Sequence, residues 1–329
     1  MKKPLILLIL TLLLCSMLTG CMQSGVGENT AEDMQNAQAS GVKPKIPNKL
    51  KQVEGVPQLI VYDVDNEKLE DMSIESYIAG VLAGEMRNDW PMEALKAQAI
   101  LARTYALKFV TDKQSAYDGA DISTDIREAQ AYNEEKINDR ILDAVKQTHG
   151  MVLSHEDALP ITWFHAHAGG MTESARTGLD YEQAEPAYIL SVASPDSEKA
   201  PTTVQHWTAK FTAEEVGQAA AQTGVKTGTA KTVEIGETSP TGRAVTLKIN
   251  GQTVSGPKFR VALDSTKLKS MMIHDITVTG NTITFEGTGY GHGVGMSQWG
   301  AYAMAEHGKN AQQIIAHYFK DLAVVSLWD

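Results

Sequence analysis

The chain has 329 residues, 43% of them hydrophobic and 21% charged, which is the composition of a globular protein with length enough for a sizeable core. Its formal charge is −11 and no dense Lys/Arg block occurs, so nucleic acid is excluded as a partner, because phosphate recognition needs a basic footprint.

Lys2-Lys3, the apolar run Leu5 to Leu14 and Leu18-Thr-Gly-Cys21 have the form of an export signal. The run falls short of the roughly 20 residues of a membrane span. Leu18-Thr19-Gly20-Cys21 resembles the bacterial lipobox, in which the signal is cut before a Cys that is then acylated. The expectation is therefore a signal peptide at 1–20, lipidation at Cys21, and anchoring to the extracytoplasmic face of the membrane. An ordinary secretory signal is the competing reading. Loss of Lys2 and Lys3 would take the charge from −11 to −13. Cys15 would leave with the signal and Cys21 would carry lipid, so no disulfide, Cys-based zinc site or cysteine nucleophile is expected in the mature chain.

Residues 21–56 are rich in Gln, Asn, Gly, Ser and Lys and read as a disordered tether. A folded domain is expected over 57–329. It opens with a strand at Leu59 to Val64, then Ser73 as N-cap of a helix whose apolar stripe is Ile74, Tyr77, Ile78, Val81 and Leu82. Glu85 continues that stripe about three turns on. An acid on a buried face is costly to ionise, which points to chemistry; a helix-end Glu paired with an Arg fits the spacing equally well. After Asn88-Asp-Trp-Pro91 a second helix runs to about Val110, with Leu95, Ala99, Ala102, Ala106 and Val110 facing inward. Arg103 borders this stripe, as a structural salt bridge or as a cation that positions Glu85 or a sugar substituent.

A short ordered segment at Ala129-Gln130-Ala131-Tyr132, a helix over 138–148 and strands at 151–153 and 161–167 follow. His165-x-His167 is a weak metal signal without a third ligand, and substrate contact or packing is favoured. The region 202–284 reads as chemically quiet scaffold, with hairpins at Asn250-Gly251 and Gly280-Asn281 and a helix over 259–268. Then Gly287, Gly289, Gly291, Gly293 and Gly295 alternate with Thr288, Tyr290, His292 and Val294. In an extended segment the glycines would share one side, which implies close approach of another backbone or an extended ligand. Two short helices, 297–306 and 310–319, close the chain. With Glu85 and His292 at opposite ends of the sequence, the expected fold is α+β: a helical N-terminal part, mixed strands and C-terminal helices in one interwoven domain.

Three blocks together resemble the stage II sporulation protein D family (SpoIID/LytB). They are Tyr77-Ile-Ala-Gly-Val-Leu-Ala-Gly-Glu85-Met with Trp90-Pro-Met-Glu-Ala-Leu-Lys-Ala-Gln98-Ala-Ile-Leu-Ala-Arg103-Thr-Tyr; Gln130-Ala-Tyr132 with Phe164-His-Ala-His-Ala-Gly-Gly-Met-Thr-Glu173; and Gly289-Tyr-Gly-His292-Gly-Val-Gly-Met-Ser297-Gln298-Trp-Gly-Ala301. The resemblance spans roughly Leu59 to Tyr318. It implies a lytic transglycosylase acting on peptidoglycan glycan strands stripped of stem peptides, with Glu85 as acid and then base and no cofactor. It further implies substrate contacts from Gln98, Arg103, Tyr132, His165, Tyr290, His292, Ser297 and Gln298. Some members hold zinc with a Cys directly ahead of the Gln-x-Tyr glutamine; Ala129 stands there, so no metal is expected. The resemblance also admits another class of function, a non-catalytic wall-binding protein that stimulates a cell-wall amidase partner.

Overall fold

The computed structural model describes residues 42–329. The expected signal at 1–20, Cys21 and most of the tether lie outside the described residues. The rest of the tether departs from expectation in part, for Pro44 and Leu50 are buried although most of its other residues are exposed. Leu50 is buried in the main core, Ile46 packs against it, and Ser154 Oγ donates to the Val42 carbonyl at 2.7 Å. Two apolar side chains in a polar stretch are enough to lay it on the core.

Strand β1 (Gln52–Val53) pairs antiparallel with β2 (Val56–Asp63), which pairs antiparallel with β3 (Lys68–Ser73). Leu59 and Val61 of β2 point into the core, two residues apart as strand alternation requires. Helix α1 (Ile74–Glu85) starts where Ser73 Oγ accepts the Ser76 N–H, satisfying one of the free amides of the first turn. Its last residue is Glu85, after which Met86 is extended. Helix α2 (Met92–Asp112) follows with Pro91 at its N-cap. The expectation of one inward stripe was too narrow here: α2 is buried on nearly all sides, including Ala94, Leu95, Ala97, Ile100, Leu101, Ala106 and Leu107, as befits the central helix of a core.

Strand β4 (Ile122–Ser123) joins β2 in parallel, and a 3-10 turn (Glu134–Lys136) leads to α3 (Asp139–Gln147), capped by Asn138. Then come β5 (Met151–Ser154) and β6 (Phe164–His165); the expected seven-residue strand at 161–167 shrinks to two paired residues. Short helices α4 (Ala175–Leu179) and α5 (Thr202–Gln205) precede β7 (His206–Thr212).

From β7 a second core forms. It comprises α6 (Ala213–Gln222), β8 (Val233–Ile235), β9 (Thr246–Ile249), β10 (Gln252–Ser255), α7 (Gly256–Asp264), β11 (Ile273–Thr279) and β12 (Thr282–Thr288). The sheets β10-β9-β8 and β11-β12-β7 enclose Trp207, Phe211, Leu247, Phe259 and Phe285. Both expected hairpins are present, β9–β10 and β11–β12. The chain then returns to the first core through β13 (Met296–Ser297), parallel to β6, then α7's successors α8 (Gln298–Glu306) and α9 (Ala311–Tyr318), and β14 (Ala323–Ser326), antiparallel to β5. Ala301, Ile314, Ile315 and Tyr318 join the α1–α2 core. The fold is α+β, and its two sequence ends interweave in one core, which brings residue 298 beside residue 85.

Candidate active site

Two glycines on α1 position the acid. A Cβ at Gly80 would collide with the Tyr132 ring, and one at Gly84 would lie 2.7 Å from the Ala131 carbonyl carbon. Their absence lets the Gln130–Tyr132 segment lie flat across α1, with the Asn133 N–H donating to the Gly80 carbonyl and the Tyr132 ring stacked on Tyr77. The Ala131 N–H thereby reaches Glu85 Oε1 at 2.7 Å. From the far end of the sequence, Gln298 Nε2, on the first residue of α8, donates to Glu85 Oε2 at 3.3 Å. Each carboxylate oxygen thus has one donor. Burial raises the pKa of Glu85 above the usual carboxylate range, and the two hydrogen bonds only partly oppose it. The Tyr105 hydroxyl of α2 is raised too, by burial and then by the charge of Glu85, which makes it a neighbour that the sequence did not single out.

Glu85 opens on a cavity of about 430 Å³ lined by Ala83, Gly84, Met86, Arg87, Asn88, Asp89 and Lys136. Arg87 and Asp89 form a forked ion pair in the wall, with Nε–Oδ1 at 3.1 Å and Nη2–Oδ2 at 2.8 Å. The hydrogen bond from Arg87 holds Asp89 below the usual carboxylate range. Past Asp89 the Trp90 ring packs on Trp299 and Tyr302, with centroids 4.5 and 5.2 Å away. Trp299 and Tyr302 are partly exposed, and Lys199 Nζ lies 5.5 Å from the Tyr302 ring centroid.

Of the residues expected to act together, the structure brings Gln298 to Glu85; Tyr132 does not reach the carboxyl, its ring lying on Gly80 and Tyr77 while the neighbouring Ala131 supplies the amide. Others it assigns elsewhere. Arg103 is fully buried and pairs with Glu75, not Glu85: its Nη2 lies 2.6 Å from Glu75 Oε2 and its Nη1 donates to the Met151 carbonyl at 2.9 Å. It is a strut. Gln98 is fully buried on α2, and its amide makes no hydrogen bond among the described residues. Ser297 is fully buried as the N-cap of α8 and donates to Asp196 Oδ1 at 2.5 Å, so its hydroxyl is not offered to a ligand. His165 is buried, with Nδ1–H donating to the Val294 carbonyl at 3.2 Å. Tyr290 exchanges backbone hydrogen bonds with His167, and its ring lies 5.7 Å from Lys269 Nζ.

The glycine row accounts for the placement of His165 and Tyr290. It is not extended: Gly289, Gly291, Gly293 and Gly295 have φ of +80°, +110°, +85° and +71°, a region L side chains rarely adopt. The close approach expected of them is to the protein's own chain. Gly289 sits on the His167 carbonyl, Gly291 on His165, Gly293 on the Arg243 guanidinium and Gly295 on the Trp163 carbonyl. His292 lines a different cavity, of about 750 Å³, with Gln222, Lys258, Arg260 and Met271. Burial, then Arg260 and Arg243, push its pKa down to about 3, and its neutral Nδ1 accepts the Val294 N–H at 3.0 Å. Among the described residues no group of three or more His, Cys, Asp or Glu is arranged to hold a metal ion.

Comparison with known proteins bears on this arrangement. A family model described as stage II sporulation protein matches residues 62–155, the stretch holding α1, α2 and the Gln130–Tyr132 segment. The stage II sporulation protein D of Bacillus subtilis is 32% identical over 276 residues, covering 79% of this chain and 76% of its own. The chain belongs to the stage II sporulation protein D family. An uncharacterized protein of Brachyspira hyodysenteriae is 33% identical over 263 residues, 78% of this chain and 68% of that one. A B. subtilis protein named amidase enhancer is 28% identical over 301 residues, 76% of this chain and 40% of its own length. A domain of unknown function matches residues 179–295, which holds the second core. Gln298 lies outside both matched stretches, so its contact with Glu85 is seen only once the chain is folded.

Proposed function

We propose that this member of the family is a lytic transglycosylase that cuts peptidoglycan glycan strands with Glu85 as its one acid/base. The observation that carries this is the Glu85 carboxyl itself: raised in pKa by burial, held by one donor on each oxygen, and open to the cavity. Protonated Glu85 gives its proton to the glycosidic oxygen between N-acetylmuramic acid and N-acetylglucosamine. The carboxylate, steadied by the Ala131 amide and Gln298, then takes the proton of the muramyl C6 hydroxyl as that oxygen attacks C1. The bond to the leaving sugar breaks, a 1,6-anhydro ring forms, and no water is consumed. The partly exposed aromatic cluster of Trp299 and Tyr302 suits packing against sugar rings. The protein would do this in sporulation or wall remodelling, tethered by lipid on Cys21 to the outer face of the membrane.

Hydrolysis ordinarily needs a second carboxylate to activate water or to attack. Asp89 is in the same cavity and ionised, but both its oxygens are engaged by Arg87. Mass spectrometry of released fragments separates the mechanisms. Anhydro ends support the proposal; reducing ends that vanish in Asp89→Asn make the protein a two-carboxylate hydrolase. A non-catalytic reading draws on the relative named amidase enhancer: a wall-binding protein that stimulates an amidase would need no proton from Glu85.

A further inference from the structure

A second buried carboxylate stands behind Glu85, on the chain of contacts that ends at Gln298. Asp196 lies in the loop between α4 and α5, and its side chain is 5% exposed. Its Oδ1 accepts two hydroxyls, Ser297 Oγ–H at 2.5 Å and Ser194 Oγ–H at 2.9 Å. Its Oδ2 accepts the Gly169 N–H at 3.1 Å and lies 3.3 Å from His167 Nδ1. Burial lowers the pKa of His167, and the Gly169 N–H also reaches its Nδ1 at 3.0 Å, so the imidazole is a neutral neighbour and not a counter-ion. Because the one proton of Ser194 goes to Asp196, the Tyr318 hydroxyl, 2.9 Å away, donates to Ser194. One carboxylate thus joins the 167–169 turn, its own loop, α9 and the start of α8.

The contact with Ser297 has a consequence at the acid. With its proton on Asp196, Ser297 Oγ turns a lone pair to the Gly300 N–H at 3.2 Å and caps α8. The next residue is Gln298, whose amide meets Glu85 Oε2 at 3.3 Å, the outer edge of the hydrogen-bond range. A small outward displacement of this turn breaks that bond. The backbone beside it is held by the same segments: the Trp299 N–H donates to the Ala166 carbonyl at 3.0 Å, and the Trp299 carbonyl accepts the Ser197 N–H at 3.2 Å. Without Asp196 the Ser297 hydroxyl has the Ala166 carbonyl, 3.5 Å away, as its other acceptor, and the cap would turn with it.

We infer that Asp196 is a positioning residue for the acid: by holding the Ser297 hydroxyl it fixes the first turn of α8 at the depth from which Gln298 reaches Glu85. Its kinetic consequence rests on the reading of Glu85 as acid and base; the chain of contacts does not.

The test follows the Glu85 carboxyl itself, by NMR titration of labelled glutamate carboxyl carbons, with Glu85→Gln identifying the resonance. Gln298→Leu sets the scale, because losing that hydrogen bond raises the pKa of Glu85. Asp196→Ala and Ser297→Ala should each raise it by a comparable amount, and Asp196→Ala/Gln298→Leu should raise it no further than Gln298→Leu alone. Removing a carboxylate by itself eases the ionisation of another, so a rise cannot come from lost charge. Asp196→Asn keeps one oxygen for the two hydroxyls and should recover most of the wild-type value. The titratable groups around Glu85, Tyr105 from α2 and Arg87, Asp89 and Lys136 around the cavity, are left in place in every variant. A merely structural role would lower the folded fraction and leave the titration of folded molecules unmoved. An unmoved Glu85 in folded Asp196→Ala, or in Ser297→Ala should the first not fold, overturns the assignment, as does a double variant whose rise is the sum of the two singles. A Glu85 that shifts as expected in a protein whose wild type never cuts glycan strands would sink the acid reading and leave the positioning role standing.

Discussion

Arg103 offers the sharpest separation of a strut from a substrate clamp. Its side chain is 0% exposed and that of its partner Glu75 is 12% exposed. Arg103 Nε lies 3.1 Å from Glu75 Oε1 and Nη2 lies 2.6 Å from Oε2, while Nη1 holds the Met151 carbonyl. Glu75 also accepts the Gly150 N–H and Trp328 Nε1–H, each at 3.0 Å, so one carboxylate ties α1 to α2, to the entry of β5 and to the C-terminal segment. Arg103→Met would leave that carboxylate buried with two neutral donors and strand the Met151 carbonyl. Removing one partner of such a pair costs about 3–5 kcal/mol, whereas replacing both in Glu75→Gln/Arg103→Met should recover part of it. Urea unfolding followed by tryptophan fluorescence measures both. Turnover per folded molecule in Arg103→Met should equal wild type. A loss below about 1 kcal/mol, or a raised KM in fully folded Arg103→Met, would refute the strut and return Arg103 to the substrate.

Three further changes test the site and the glycine loop, the last of them as a control. Gln298→Leu removes a hydrogen bond that lowers the pKa of Glu85, so that pKa should rise further. Because an acid catalyst must be protonated, activity is lost as pH rises through its pKa, and the alkaline limb of the pH–rate profile should move upward; a downward shift contradicts the geometry. Gly293→Ala combines φ of +85° with a Cβ placed in the Arg243 guanidinium and should prevent folding or cost well over about 1–2 kcal/mol. Gly308→Ala, at φ +79° in open space, should cost only about that backbone strain, and equal thermal shifts for the two would show that the packing is not tight.

Local features were legible before folding. Ser73 as N-cap, Glu85 as the last buried-stripe residue of α1 and both hairpins follow from patterns within a few residues. Features that depend on distant chain were not. That Arg103 meets Glu75 is set by how α1 packs on α2, and spacing to Glu85 carries no information about it. The alternation Gly-x-Gly implied close approach of another backbone or of an extended ligand, without saying which; the objects are the 163–169 segment and the Arg243 guanidinium. The cap role of Ser297 was hidden by its place in a motif that resemblance had assigned to substrate. The Ala131 amide carries no side-chain signature at all.

The account stands on one proton donor. Stripped glycan strands incubated in parallel with wild-type protein and with Glu85→Gln, and analysed by mass spectrometry, test it most directly. Wild type should release fragments ending in 1,6-anhydro-N-acetylmuramic acid, and Glu85→Gln should release them at least about 100-fold more slowly. Release by Glu85→Gln at the wild-type rate would contradict the central claim.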